Sequence, residues 1–293
     1  MHHVIIVNPI AGHRNTKKYG YRIQKLLKKY NISSEIYLSK YSGNITEITK
    51  KLSNIEDCRF YSVGGDGTLN EIVTGIIGTN SDIVVIPSGT GNDFIKSTNS
   101  YISMRKIIIN SINKSSRKVD AIKIGKDRYC INILSTGLDA MVAKNVDIFK
   151  KVPLISGKFK YILATIYTLF SKKSFKFKIR IDNNEILKGH FTLAAVANGK
   201  YYGGGVCPCP DAVIDDSILN ICVVDNTTFF EKLSLLPKYQ KGKHIGLKQV
   251  HIYKCKNIHI VSNRKFPTNI DGEVFYTNKL NISIIPKAIN IVD

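Results

Sequence analysis

The sequence predicts an α/β fold in two parts. Residues 1–118 form an N-terminal, doubly wound, mostly parallel sheet domain, and residues 119–285 a C-terminal antiparallel, β-sandwich-like domain. By pattern alone, the last residues, about 286–293, are free to return to the first domain. Three observations support this division. Strand-like and helix-like segments alternate regularly through the first third of the chain, as βαβ units require. Glycine- or asparagine-rich breaks follow the strands there, at the carboxyl ends where such sheets bind ligands. After about Ser116 the helical period gives way to strand-like runs separated by turns, the pattern of a sandwich or barrel.

The elements follow in order. "HVIIVN" reads as a buried strand, "KKYGYRIQKLLKKY" as a helix, "SSEIYLS" as a strand and "NITEITKKLSN" as a helix. "CRFYSV" is the third strand, "TLNEIVTGII" the third helix and "DIVVIP" the fourth strand. The breaks between them are Asn8-Pro9-Ile10-Ala11-Gly12, Gly64 to Gly67, and Ser88 to Asp93, so three loops converge on one rim. In the second part, "RKVDAIKIG" and "RYCINILS" flank a Lys-Asp turn. "SFKFKIRID", "EILKGHFTLAAVANG", "SILNICVV", "QVHIYKCKNIHIVS" and "LNISIIPKAINIVD" continue the strand pattern. One helical interval, about 159–171, is expected to interrupt it.

Composition bounds the function. The chain has 293 residues, enough to bury a large core, with 43% apolar and 22% charged residues. Of six cysteines only Cys207 and Cys209 are closely spaced, and no Cys-x-x-Cys pair suggests zinc or a disulfide framework. Reduced thiols and a cytoplasmic setting are expected. The seven histidines form no ligand or triad spacing. The opening apolar run is too short for a secretory leader and is interrupted by Asn8-Pro9. The most apolar later run, "YILATIYTLF", has ten residues. Spanning a bilayer takes roughly 20.

Lys and Arg total 43 against 22 Asp and Glu, a net charge of +21 that favours polyanionic partners. Between Lys144 and Lys178 nine lysines face one acid, Asp147, and flank the apolar run. One reading is a basic rim that holds the protein on anionic lipid at the inner face of a membrane, at about 1 kcal/mol per cation. The other is a solvated lysine-rich face. Nucleic acid is not the expected partner, since the charge is mostly lysine without an arginine and aromatic platform.

Gly64-Gly65-Asp66-Gly67-Thr68 fits either a tight turn or a phosphate loop opening a helix. Thr68 and Glu71 are spaced as a capping box. Asp66 beside phosphates makes sense where a metal or a proton transfer is involved. The loop is neither a Walker A motif nor a Rossmann fingerprint. Asp271 and Glu273, if extended, point to one side and repel, which suits one of them to accept a proton; alternatively Asp271-Gly272 is a hairpin turn. Gly203-Gly204-Gly205 fits a close backbone passage at the interdomain cleft or a flexible strand end. Tyr201 and Tyr202 fit an acyl or headgroup pocket, or plain packing.

"VNPIAG", "SVGGDGTLNEIVTG", "IPSGTGNDF", "STGLDA", the "GGG…P-x-A…DD…L" run and "NIDGE" occur in the order of the diacylglycerol kinase catalytic-domain family, which this chain resembles from Val7 to Glu273. That family of bacterial lipid kinases is related to sphingosine and ceramide kinases. Its GGDG loop is shared with NAD kinases and phosphofructokinases, whose folds the first domain is expected to resemble. The resemblance implies an ATP-dependent kinase acting on a lipid hydroxyl, most simply diacylglycerol, with a sphingoid base or NAD as other acceptors. A catalytically idle nucleotide-binding regulator is a further reading.

The resemblance assigns ATP to Asn8, Pro9, Ala11, Gly12, Ser39 (a threonine in the family), Gly64, Gly65, Asp66, Gly67, Thr68, Leu69, Asn70 and Thr90. It assigns the general base to the Asp271/Glu273 pair, with Glu273 preferred, and catalytic Mg2+ to Asp66 through water. A structural Mg2+ falls to Asp216 with the carbonyls of Val213 and Ile218. Ser217 there replaces the family's glycine, which puts strain on that loop. A surface turn is the other reading of Asp215-Asp216. Relatives of the family also dimerise, so a homodimer is an open expectation.

Overall fold

The computed structural model describes residues 1–12, 15–98, 103–150, 157–170, 174–182 and 185–292. The first half runs β1 (His2–Val7), α1 (Thr16–Lys29), β2 (Ser34–Leu38), α2 (Asn44–Ser53), β3 (Cys58–Gly64), α3 (Asp66–Ile76), β4 (Asp82–Pro87), α4 (Asp93–Ser97) and α5 (Met104–Asn113). The strands pair in parallel in the order β2-β1-β3-β4. Because strand side chains alternate, β1 serves two cores. Val4 and Ile6 pack with Ile45 of α2 and Leu69 and Ile72 of α3, while Ile5 and Val7 pack with Ile23 and Leu27 of α1 and Ile107 of α5. Helices therefore cover both faces, and every β1–β4 strand ends on the same rim. Beneath that rim, Arg59 grips Asp82 across β3 and β4 with two hydrogen bonds of 2.8 and 2.7 Å.

The second half runs β5 (Arg117–Ile124), β6 (Arg128–Cys130), β7 (Ile133–Gly137), α6 (Leu138–Lys150), α7 (Gly157–Leu169), β8 (Phe175–Ile181), β9 (Glu185–Ala197), β10 (Leu219–Asp225), α8 (Phe229–Gln240), β11 (Val250–Cys255), β12 (Asn257–Ile270) and β13 (Glu273–Val292). These strands are antiparallel to one another, with β11-β10-β9-β7-β12-β13 as the main path and β8 joining β12 and β9. Ala194, Val196, Ile221 and Val223 point into the sandwich core with Phe177, Ile260 and Phe266. Their alternates Leu193, Ala197, Cys222 and Val224 pack outward against Leu138, Leu169, Leu235 and Tyr239 of the helices. The last residues of β13 leave the sandwich: Asn290, Ile291 and Val292 pair in parallel with Asp82, Ile83 and Val84 of β4.

Two expectations need correction. Three helices, not one, interrupt the strands of the second half. Helix α6 carries Asp, Lys and Asn between its apolar residues, and α8 carries Glu, Lys, Ser and Pro237, so their apolar stripe is diluted and tertiary burial stabilises it. A readable signal existed at α8, where Thr228 and Glu231 close a full capping box. The run from Arg128 to Ser135 is also two strands, broken at Ile131-Asn132.

Candidate active site

Three glycine loops meet on the rim, and glycine lets them touch. A Cβ on Gly89 would lie 2.3 Å from the Gly65 Cα, and one on Gly12 would lie 2.5 Å from the Ser88 carbonyl oxygen. Helix α3 begins at Asp66 with Gly65 as its N-cap and no side-chain cap, leaving first-turn amides and the positive dipole end facing the loops. The expected capping box does not form, because the helix starts two residues earlier than its pattern suggests. Thr68 Oγ1 instead accepts from Asn8 Nδ2 at 3.3 Å, tying loop one to loop two. Glu71 turns away and accepts from the Ile45 amide at 3.1 Å, near the start of α2.

The other nucleotide candidates divide. Pro9, Ala11 and Gly12 continue the loop after β1, where the Ala11 amide donates to the Asn8 carbonyl at 3.3 Å. The Ser39 amide donates to the Val7 carbonyl at 2.9 Å, which sets its side chain at the neighbouring strand end. Thr90 is exposed in the third loop. Leu69 is core, so it can offer a ligand only its backbone. Asn70 Oδ1 is buried without a hydrogen-bond partner.

Carboxylates converge on this rim from three elements. Asp66 Oδ1 accepts from the amides of Asp93 at 2.8 Å and Phe94 at 3.1 Å, capping α4 from outside. Asp93 pairs with Lys96 through Oδ1, and its Oδ2 accepts from the Gly204 amide at 2.7 Å. The Gly203–Gly205 run thus belongs to the site. Asp271 Oδ2 accepts from the Cys130 thiol at 3.5 Å. Burial, and then the charge of Asp93, raise the pKa of Asp66 against the pull of the two amides. Burial pushes Asp271 well above the usual carboxylate range; the charge of Asp66 adds to this, the Cys130 thiol opposes it, and Asp93 and Glu273 contribute further.

The segment at Asp271 and Glu273 is not extended. Asp271 (φ 48°) and Gly272 (φ 95°) make a two-residue turn between the paired residues Ile270 and Glu273, as a type I′ hairpin requires. Reasoning from alternate strand sides therefore fails here. Glu273 is exposed and meets Ser42 Oγ at 3.4 Å, whereas Asp271 is half-buried and lies with Asp66 and Asp93.

At the other candidate centre, Asp216 Oδ1 accepts from the Ile218 amide at 3.0 Å and its pKa is raised, by burial first. Ser217 takes the left-handed conformation, φ 62°, that a glycine would occupy more easily. It is pinned there by Asp120, whose oxygens accept from the Ser217 amide at 2.6 Å and the Lys287 amide at 2.7 Å. Val213 stands half exposed, and Asp215 pairs with Arg117 at 3.0 Å. Among the described residues no group of three or more His, Cys, Asp or Glu side chains is arranged to hold a metal ion. Mg2+ would therefore need ligands from substrate phosphates and water, its usual habit.

An apolar cavity opens between α6, α7, α8 and β9, walled by Leu138, Val142, Leu169, Leu193 and Leu235. On its wall is a polar group: Tyr202 and Tyr239 both donate to Asp139 Oδ2, the latter at 3.1 Å, and burial raises Asp139 to about 6. Lys232, buried on α8, also lines it, and burial lowers its pKa. Tyr202 lies two residues before Gly204, so one loop links the cavity to the carboxylate cluster. Sequence reasoning had passed over Asp93, Lys96, Cys130 and Asp139 as individual groups. Asp93 and Asp139 lay in the quoted runs "GNDF" and "STGLDA".

Residues 2–124 match the diacylglycerol kinase catalytic domain, and residues 132–293 match the YegS C-terminal NAD kinase beta sandwich-like domain. The chain is 27% identical to "Putative lipid kinase YtlR" of Bacillus subtilis (strain 168), covering 99% of each. It is 28% identical to a "Putative lipid kinase" of Staphylococcus epidermidis (strain ATCC 12228 / FDA PCI 1200), covering 99% of this chain and 96% of that one. Among solved structures it resembles a "putative diacylglycerol kinase" from Bacillus anthracis str. Sterne with a TM-score of 0.80 at 25% identity, over 99% of this chain and 96% of the other.

Proposed function

Because the chain belongs to the diacylglycerol kinase catalytic-domain family of lipid kinases, we propose that it transfers the γ-phosphate of ATP to a lipid hydroxyl, with diacylglycerol as acceptor and phosphatidic acid as product. One observation carries the reading. Three carboxylates, Asp66, Asp93 and Asp271, gather where the glycine loops meet, and two of them have raised pKa values. Such a group suits proton abstraction beside a bound polyphosphate.

In this reading the loop amides, the start of α3 and Asn8 hold the phosphates. Asp271 accepts the proton of the acceptor's hydroxyl while that hydroxyl oxygen forms the new bond to the γ-phosphorus and ADP leaves with the electron pair of the broken P–O bond. Glu273 sits outside that contact and tunes Asp271 by its charge. Mg2+, when bound, offsets negative charge on the transferring group. Asp66 is the residue that would hold it through water. A second, structural ion would rest on Asp216 with the carbonyls of Val213 and Ile218. The cavity beside Tyr202 supports an apolar acceptor over NAD.

The test is radiolabelled phosphate transfer from Mg-ATP to a panel of lipids in mixed micelles, with wild type beside Asp66→Ala and Asp271→Asn. Labelled phosphatidic acid lost in both variants is expected. Label on a sphingoid base would keep the mechanism and change the acceptor. Bound ATP without transfer to any lipid would leave a nucleotide-binding regulator.

A further inference from the structure

We propose that the adjoining outer faces of α7 and α8 are the surface by which this protein seats itself on an anionic lipid bilayer. Ile166, Tyr167, Phe170, Phe230 and Leu233 enter the interfacial layer. This goes beyond the lipid-kinase reading and is tested without nucleotide or acceptor.

These five side chains are 44, 58, 66, 79 and 49% exposed. Phe170, just past α7, stands four residues from Ile166 and three from Tyr167, with its amide bonded to the Ile166 carbonyl at 3.3 Å, and on α8 the other two stand at i and i+3, so each set gathers on one side of its helix. Rings join the two sets. Phe170 stacks on Phe229 with centroids 4.9 Å apart, and Phe229 meets Phe230 edge-on at 5.6 Å. A contiguous apolar patch of this kind marks an interaction surface, whereas isolated exposed apolar residues such as Tyr21 and Ile55 do not. The patch roofs the apolar cavity: Thr165 and Leu169 of α7 and Lys232, Leu235 and Leu236 of α8 line it from beneath.

Charge selects the occupant. The chain carries +21, and exposed Lys238, Lys241 and Lys243 stand at the end of α8. The sole acid of α8, Glu231, is engaged in closing its own helix cap. A second copy of a +21 chain is repelled, while an anionic bilayer is attracted. Aromatic rings above a basic rim are what an interfacial segment uses. Of the wider lysine rim expected from Lys144 to Lys178, the described side chains are those of Lys144, Lys176 and Lys178, all exposed. Lys144 is directed to Tyr276, whose hydroxyl it meets at 3.0 Å and whose ring lies 4.9 Å away. Lys151, Lys172 and Lys173 lie outside the described residues, as do the side chains of Lys150, Lys158 and Lys160.

The chain contains no tryptophan, so Phe230→Trp installs a single reporter. With phosphatidylglycerol vesicles its emission is expected to shift to the blue and to be quenched by brominated acyl chains, with no change on purely zwitterionic vesicles. Phe170→Glu combined with Phe230→Glu is expected to weaken vesicle co-sedimentation by roughly tenfold or more. Tyr21→Glu, on a distant apolar residue, is expected to leave it unchanged. All variants are checked for native circular dichroism. A tryptophan left unquenched on bound protein, or a folded double variant that binds like wild type, would overturn the proposal. So would a lipid-free dimer, seen by light scattering, that the double variant dissociates. Vesicle binding without kinase activity would sink the kinase reading alone, and the reverse would sink this one alone.

Discussion

Asp271 and Glu273 are two residues apart and differ in almost everything that matters to a proton. The first is half-buried beside Asp66 and Asp93, and the second is exposed beside Ser42. We expect Asp271→Asn to lower kcat by about 10²- to 10⁴-fold with little change in KM for ATP. Glu273→Gln should cost much less. Steady-state kinetics on the two variants decides which carboxylate takes the proton. Since the base works ionised and its pKa is raised, wild-type kcat should fall with decreasing pH well before an ordinary carboxylate would titrate. Asp139 gives a stability counterpart. Its pKa rises from 3.8 to about 6 on folding, so the folded state holds the proton more tightly. That contribution is fully present below 3.8 and is lost as pH rises through about 6. Melting temperatures of wild type and Asp139→Asn should therefore diverge in the variant's favour as pH climbs through that window. The sequence made Asp66 and Asp271 legible because each stands beside glycine at a break between periodic runs. Sequence reading preferred Glu273 to Asp271, because the groups that set the surroundings of Asp271, Cys130 and Asp66, are distant in sequence.

Among elements, α8 forms a wall of the cavity and one flank of the proposed bilayer surface, yet it opens on a single exposed cap. Replacing Thr228 with Ala removes the side-chain half of the capping box, the bond from the Glu231 amide to Thr228 Oγ1, and should cost about 1 kcal/mol, read as a lower melting temperature. The pairing of β3 with β4 rests on a harsher contact. Arg59→Met would leave Asp82 buried and unpaired at a cost of about 3–5 kcal/mol, lowering the urea midpoint without changing the slope. The strands β1–β4 and helices α1–α3 were legible because their periods are clean. The Asp271-Gly272 hairpin was legible as well, by its Asp-Gly pair. Helices α6 and α8 were read less easily, because their periods are diluted and burial against Leu193 and Val224 does most to fix them, although the cap of α8 was readable.

At the scale of the whole molecule, β13 is the component shared by both halves. Its start carries the turn that presents Asp271, its middle pairs with β5 and β12, and its end completes the parallel sheet beside β4. Pattern alone left the destination of the tail open, because an apolar strand fits either sheet and the choice belongs to long-range pairing. Truncation after Lys287 should bare the edges of β4 and β5 and convert a monodisperse protein into one that aggregates, as light scattering would report.

The placement of Asn290–Val292 also imposes an order in time. As the chain emerges during synthesis, β1 to β4 are available early, but the partner of β4 is made only after β5 to β12. Until it arrives, the first domain waits with one edge open, and loops that have already formed cannot be locked against Asp271. The early half is thus unable to assemble the proposed phosphate-transfer site on its own, and a stalled or shortened product is left without one.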